Sequence, residues 1–185
     1  MASERNQEVK QMVTLKSKDG KQFQVERKVA EQSKVIKLLA EQFSSHSLKT
    51  FIDDEDGYID TPIPVEVTSD VLQSVILYCE KHSEEPARSV WEEKVTQHRP
   101  DVLIQWDSKY IEEVKKNKEL LYNLIIAANY LEIEGLLDLT IQAVVDMIEG
   151  KSPEEIRSIL GITNDLTPEE EHEIRQQNLW AFTPN

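Results

Sequence analysis

The stretch from Leu120 to Ile148 is the densest apolar region of this 185-residue chain, and it limits what the chain can fold into. Its apolar residues recur three or four positions apart, which is typical of helix faces that pack into a core. Gly135 lies near the middle of the stretch, so we predict two buried helices that join close to this glycine. Gly150 comes after the second helix, where a left-handed C-terminal cap is favoured.

A β-hairpin is predicted near the N-terminus. Residues 12–16 alternate between apolar and polar side chains, and Asp19-Gly20 is a strong signal for a tight turn. Phe23 and Val25 continue the alternation beyond the turn, as the second strand of a hairpin should. The hairpin would place an antiparallel edge at the start of the fold. The polar residues 1–11 before it indicate a flexible N-terminus.

The next three segments differ in character. Apolar residues from Val29 to Phe43 follow helical spacing and predict one or two short helices. The acidic segment 51–60 carries no basic residue, so charge repulsion favours a solvated loop. Residues 61–65 contain two prolines one residue apart, which allow only an edge strand or an extended connector.

A further helix can be capped by Thr68 or Ser69, because apolar residues recur at helical intervals after them. Residues 83–104 have mixed charge and weak periodicity, so we expect mainly loop there. Asp107 or Ser108 is expected to start the helix that precedes the dense apolar stretch.

Two capping boxes begin the last helices. Residues 152–155 read Ser-Pro-Glu-Glu and residues 167–170 read Thr-Pro-Glu-Glu. In each box the hydroxyl accepts from a backbone N–H three residues on, and the glutamate reaches back to the cap. Proline suits the first turn, where its missing donor has no consequence. Gly161 is placed to end the first of these helices.

The C-terminal tail has few residues to bury. The helix that begins at Pro168 offers one aliphatic residue, Ile174, and is therefore hard to stabilise by packing. Leu179, Trp180 and Phe182 follow within the last seven residues. Aromatic residues in such a place favour anchoring to a partner, since they bury much area and immobilise few rotamers. The alternative is that the tail folds back on its own domain.

Charge and cysteine content exclude several classes of protein. The net charge of −14, without a basic cluster, argues against binding to nucleic acid or to an anionic membrane. The sequence has no apolar run long enough to span a membrane and no secretory signal. A lone cysteine, Cys79, cannot form an internal disulfide, so we expect a reducing compartment, the cytoplasm or the nucleus.

Catalytic chemistry has little support in the sequence. Cys79 and His82 are three residues apart on one helix and could pair a thiol with a base, but a cysteine among apolar residues is usually a small buried hydrophobe. The four histidines are dispersed, and the acidic run 53–56 lacks the spacing of a calcium loop. We therefore expect no catalytic residue, no metal and no cofactor.

Asn129 and Tyr130 interrupt an otherwise buried helix near its end. They are either a cap and a hydrogen-bonded core phenol, or the point at which the helix emerges onto a docking surface.

Several segments together resemble the SCF ubiquitin-ligase adaptor family, of the S-phase kinase-associated (SKP) type. They follow one another in the order and spacing of that family and span roughly residues 12 to 180. These segments are Ser17–Gly20, Pro62–Pro64, Ile104–Asp107, Ile126–Asp138, Lys151–Arg157 and Asn178–Trp180.

The resemblance implies an α+β fold. A BTB/POZ-type domain, with a small mainly antiparallel sheet and helices, would occupy residues 12–149. A C-terminal extension of F-box-binding helices would occupy residues 150–185. Members of the family are non-catalytic adaptors that bridge a cullin to F-box substrate receptors for ubiquitination.

The resemblance also assigns contact residues by position. Asn129 and Tyr130 would face the cullin. The expected F-box-binding residues are Ile141, Val144, Val145, Ile148, Asn178 and Trp180.

The ending Ala181–Asn185 replaces the cysteine and acidic residues usual in the family, which indicates a divergent paralogue. A second hypothesis therefore remains open. The chain could be a self-associating scaffold protein that kept the fold without cullin binding, and a homodimer of the free chain fits either hypothesis.

Overall fold

The computed structural model describes residues 11–47, 59–83 and 101–179. Within these ranges the chain forms three strands and eight helices, in agreement with the predicted α+β class. The strands are β1 (Met12–Lys16), β2 (Gln22–Glu26) and β3 (Ile59–Pro64). The helices are α1 (Arg27–Ala30), α2 (Lys34–Ser47), α3 (Ser69–His82), α4 (Asp101–Lys115), α5 (Lys118–Tyr130), α6 (Glu134–Ile148), α7 (Pro153–Leu160) and α8 (Pro168–Gln177).

The chain divides into two compact units, Met1–Ala143 and Val144–Asn185. The first unit contains the sheet, helices α1 to α5 and most of α6. The second contains the end of α6 with α7 and α8. The domain organisation expected from the sequence, with a flexible segment 1–11 and a boundary at residue 149, stays a prediction.

The predicted hairpin is confirmed. Strands β1 and β2 pair antiparallel, with Val13 opposite Val25 and Leu15 opposite Phe23. Gly20 in the connecting turn has φ +88°, a value that glycine adopts without steric conflict. Val13, Leu15 and Val25 are buried, so one face of the hairpin belongs to the core.

Strand β3 changes the expected sheet from mainly antiparallel to mixed. It lies on the other side of β1 and runs parallel to it, which gives the strand order β2-β1-β3. A parallel pair needs a long crossover, and helices α1 and α2 supply it. β3 is an edge strand, as its prolines predicted. Ile59 and Asp60 belong to β3, so the loop predicted over 51–60 is wrong at these two residues. Residues 51–58 lie outside the described ranges.

The region from Val29 to Phe43 contains two helical pieces, α1 and α2, as predicted. Helix α3 begins at Ser69 after Thr68, but the Thr68 side chain makes no capping hydrogen bond. Instead the Ser69 backbone N–H donates to Asp19 Oδ1, 2.8 Å away in the hairpin turn. Hydrogen bonding from Ser69 and then from Ser17 lowers the pKa of Asp19 to about 2. The hairpin turn therefore caps α3.

The predicted start of the next helix is wrong. Helix α4 begins at Asp101, not at Asp107 or Ser108, so the loop expected over 83–104 ends at least four residues too late. Val102 and Ile104 are exposed while Leu103 between them is buried. These three adjacent apolar residues do not repeat at helical spacing, which is why the first turn of α4 was not recognised. The rest of that segment, residues 84–100, lies outside the described ranges.

The two buried helices predicted from Leu120 to Ile148 are confirmed as α5 and α6. They join at residues 131–133, and Gly135 lies in the first turn of α6. Gly150 has the left-handed φ of +69° expected after α6. Five leucines and an isoleucine in the first unit are completely or almost completely buried and form the centre of its core, namely Leu15, Ile63, Leu72, Leu121, Leu124 and Leu136.

Both predicted capping boxes are confirmed in the second unit. Ser152 accepts from the backbone N–H of Glu155, and Thr167 accepts from that of Glu170. Each glutamate in turn accepts from the backbone N–H of its cap residue, at 2.8 Å in both boxes. Gly161 ends α7 in the left-handed conformation. In the described part of the chain, no helix combines the length and the apolar character needed to cross a membrane.

Candidate functional site

The end of helix α5 presents the two residues that the family resemblance assigned to a cullin contact. Asn129 is exposed, and Tyr130 is 40% exposed. The buried face of α5 carries Leu121, Leu124 and Ala128, which leaves residues 129 and 130 on the outer side of the helix. The alternative of a buried core phenol at Tyr130 is therefore wrong, and the role of the pair as a cullin contact stays a prediction.

Ile126 extends this surface and was missed by the sequence analysis. Its side chain is 66% exposed and lies one helical turn before Tyr130. The residues from Leu124 to Ala128 are all apolar, so the hydrophobic pattern alone does not reveal which one points outward. Leu121, Leu124 and Ala128 define the buried face of the helix, and the position of Ile126 relative to that face indicates that it is exposed.

The turn that follows Tyr130 is held by the start of helix α2. The Ser33 hydroxyl is buried, donates to the carbonyl of Leu131 at 2.6 Å and accepts from the backbone N–H of Ile36 at 3.1 Å. At the surface beside it, Lys34 pairs with Glu134, the first residue of α6. Two separate contacts therefore fix the position of the chain directly after Asn129 and Tyr130.

Helix α6 carries most of the residues predicted to bind an F-box. Ile141 and Val145 are 46% and 43% exposed, and Val144 and Ile148 are half-buried. Ile141, Val145 and Ile148 are spaced four and three residues apart, so they share one face of the helix. Such an apolar face left partly in water is typical of a protein-binding helix.

The remaining two predicted F-box residues lie at the C-terminal end. Asn178 is half-buried and ends α8, with its side-chain amide donating to the carbonyl of Ile174 at 2.9 Å. Leu179 after it is exposed. Trp180 and Phe182, the aromatic residues of the tail, lie outside the described residues.

The described residues of the second unit are exposed or half-buried, and its two C-terminal helices are joined by ion pairs. None of its described residues, 144–179, is buried, and Ile162 and Ile174 are exposed like Leu179. Helices α7 and α8 are linked by charged side chains, with Arg157 3.6 Å from Glu171 and Arg175 3.2 Å from Glu154. Apolar side chains of this unit are therefore exposed, and a binding partner could bury them.

Cys79 and His82 do not form the thiol–base pair considered from the sequence. Cys79 is 4% exposed, and burial raises the pKa of its thiol to about 12. The His82 ring stacks on Tyr78, and its Nε2 lies 2.8 Å from Asp107 Oδ1. The interpretation of Cys79 as a small buried hydrophobe is confirmed. Among the described residues, no cluster of histidine, cysteine and carboxylate side chains could hold a metal ion.

Cys79 is expected to be almost inert to Ellman's reagent at about pH 8. A pKa of about 12 leaves about one thiol in ten thousand ionised at that pH, and burial blocks access to the remainder. The labelling rate of the native protein should therefore follow its unfolding rate, while labelling in concentrated guanidinium chloride should be immediate. Fast stoichiometric labelling of the native protein would contradict the buried position.

Two family models and a close relative match most of the chain. The family model described as "Skp1 family, tetramerisation domain" matches residues 11–84, and "Skp1 family, dimerisation domain" matches residues 134–181. SKP1-like protein 13 of Arabidopsis thaliana is 42% identical over 172 residues, which cover 92% of this chain and 97% of that protein. The chain belongs to the Skp1 family.

Two further relatives match over most of the chain. SKP1-like protein 1A of Arabidopsis thaliana is 43% identical over 171 residues, covering 92% of this chain and 96% of that protein. A protein of Talaromyces marneffei named "E3 ubiquitin ligase complex SCF subunit sconC" is 41% identical over 170 residues, or 91% of this chain and 96% of the relative. These matches confirm the family resemblance and the BTB/POZ-type α+β fold that the sequence indicated.

Proposed function

We propose that this chain is an adaptor subunit of an SCF ubiquitin ligase, in which it joins a cullin to F-box substrate receptors. The observation that carries the proposal is its 41% identity, over 91% of its length, to a relative whose name states that it is an SCF subunit. The exposed end of α5 and the apolar face of α6 supply two candidate docking surfaces, as a bridging protein requires.

The end of α5 is the surface proposed for the cullin. Asn129 offers an amide for hydrogen bonding, while Tyr130 and Ile126 offer exposed apolar area within one helical turn. Tyrosine is enriched among the residues that contribute most of the binding energy at protein interfaces.

The F-box is proposed to cover the apolar face of α6 together with Asn178 and Trp180. Val145 and Ile141 are the most exposed of these apolar residues on α6. The absence of buried residues among those described in the second unit supports this proposal, because a partner would supply the missing apolar contacts.

The adaptor is proposed to be non-catalytic and to act in the cytoplasm and the nucleus.

Direct binding experiments with charge-introducing variants test the proposal. The purified chain should bind both a cullin N-terminal domain and an F-box segment. Asn129→Lys combined with Tyr130→Lys should weaken cullin binding at least about tenfold and leave F-box binding unchanged. Val145→Asp and Trp180→Ala should show the opposite selectivity. Calorimetry or surface plasmon resonance measures both affinities.

Gln24→Lys is a suitable control, since Gln24 is an exposed residue of β2, a strand that contributes no residue to either proposed surface. The control should retain both affinities. The proposal fails if the wild-type chain captures an F-box segment but no cullin. It also fails if the α5 and α6 variants lose both partners equally while remaining folded.

A self-associating scaffold protein is the second candidate function. The descriptions of the two matching family models, which name dimerisation and tetramerisation, favour it, as do the exposed apolar residues of the second unit. Light scattering of the free chain and of its mixture with an F-box segment separates the two candidates. An adaptor becomes a one-to-one complex with the F-box segment, whereas a scaffold keeps its oligomeric state and binds no cullin.

A further inference from the structure

The turn between α5 and α6 contains a residue in an unusual conformation. Glu132 has φ +51° and is the non-glycine residue with positive φ in the described part of the chain. Its backbone N–H donates to the carbonyl of Asn129 at 3.2 Å, and the N–H of Ile133 donates to the carbonyl of Ala128 at 2.9 Å. These two bonds define a Schellman motif, in which the left-handed position normally belongs to glycine.

Glu132 is unfavourable at this position for two independent reasons. A side chain with a Cβ strains the backbone in the left-handed region, which glycine occupies freely. A negative charge at the C-terminus of a helix is also repelled by the helix dipole. Glycine would remove both disadvantages, so the folding of the turn does not explain why a glutamate is present.

The surroundings of Glu132 offer its side chain no compensation. It is exposed, and among the described residues its carboxylate has no hydrogen-bond or ion-pair partner. Glu134, two residues later, differs because it pairs with Lys34. Non-glycine residues that the surrounding structure holds in a strained backbone conformation cluster at functional sites.

Glu132 is also close to the surface proposed for the cullin. It follows Tyr130 by two residues, and its backbone is bonded to Asn129. The buried hydrogen bond from Ser33 to Leu131 fixes the residue directly before it. The carboxylate is therefore held on a well-defined turn at the edge of the Asn129–Tyr130 surface.

We propose that Glu132 is a specificity-determining residue of this surface, and that its carboxylate pairs with a lysine or arginine of the cullin N-terminal region. This inference rests on the proposed function. The Asn129–Tyr130 surface supplies apolar area and an amide, and Glu132 adds the negative charge that selects a cationic partner group.

Three variants test the proposal, each measured for thermal stability and for affinity to a purified cullin N-terminal domain. Glu132→Gly should raise the melting temperature by about 2–4 °C and weaken cullin binding about tenfold. Glu132→Gln should weaken cullin binding by a similar factor without that rise. Glu119→Gln, at the exposed first turn of α5, should leave cullin affinity unchanged.

Glu132→Gly is expected to gain thermal stability and to lose affinity for the cullin domain. If Glu132 were purely structural, its substitution would change stability and affinity in the same direction. The affinity difference between wild type and Glu132→Gln should shrink at high salt. The inference is overturned if wild type binds the cullin domain and both Glu132 variants bind it equally well. If wild type binds an F-box segment but no cullin, the proposed function fails and this inference fails with it.

Discussion

Asp107→Ala is expected to lower the free energy of unfolding by about 1–3 kcal/mol. Asp107 Oδ1 lies 2.8 Å from His82 Nε2, and the two side chains are only 4% and 10% exposed. Removing the carboxylate leaves a polar imidazole in the interior without this partner, beside the rings of Tyr78 and Trp106. Because whole domains are stable by only about 5–15 kcal/mol, the variant should lose a measurable part of its stability.

Urea unfolding followed by circular dichroism measures this effect. Glu113→Ala provides a control on the same helix, where the exposed pair with Lys116 should contribute less than about 0.5 kcal/mol. A double-mutant cycle with His82→Ala isolates the interaction, and the double variant should lose less stability than the sum of the two single losses. A loss below about 1 kcal/mol in Asp107→Ala would show that the pair does not hold α3 and α4 together.

Ser33→Ala is expected to destabilise the protein by about 2–3 kcal/mol. The Ser33 hydroxyl both donates to the Leu131 carbonyl and accepts from the Ile36 N–H in a buried position. Alanine leaves two buried backbone groups without this partner, and water has no access to replace it. The same variant should loosen the turn after Asn129 and Tyr130.

Unfolding curves give the stability change, and hydrogen exchange at residues 129–133 reports the loosening of the turn. Ser83→Ala is the matched control, because the Ser83 hydroxyl donates to the Glu80 carbonyl at the surface. That control should change stability by less than about 0.5 kcal/mol. Unchanged protection of residues 129–133 in Ser33→Ala would mean that other contacts suffice to hold the turn.

Local sequence signals predicted the elements whose hydrogen bonds are themselves local. The Asp19-Gly20 turn and the two capping boxes each close within three to five residues, so their residue types are sufficient to identify them. The helical periodicity of the dense apolar stretch likewise predicted α5 and α6, because both helices bury a continuous face.

Long-range pairings were not accessible in the same way. The parallel pairing of β1 with β3 joins Leu15 to Ile63, and no short pattern encodes the direction of such a strand. Asp107 was interpreted as a helix start because aspartate is a good cap, whereas its partner His82 lies 25 residues earlier in the chain.

The candidate site was only partly predictable. Family resemblance indicated Asn129 and Tyr130, whereas Ile126 was hidden in an all-apolar run and became visible through its exposure. The positive φ of Glu132 has no signature in the residue type, since glutamate is not selected for that conformation. The sequence therefore predicts where α5 ends. The conformation of the turn at residues 131–133 depends on tertiary contacts such as the hydrogen bond from Ser33 to Leu131.

The capping boxes of α7 and α8 have a consequence for the entropy of association. Helices of 8 and 10 residues are shorter than the roughly 12–15 residues at which isolated helices become stable. Each hydroxyl cap contributes about 1 kcal/mol toward the helical state before any partner arrives. An F-box that docks on helices already formed loses less conformational freedom, so more of its contact energy can appear as affinity. Two short sequence motifs would thus preorganise a unit whose described residues include no buried side chain.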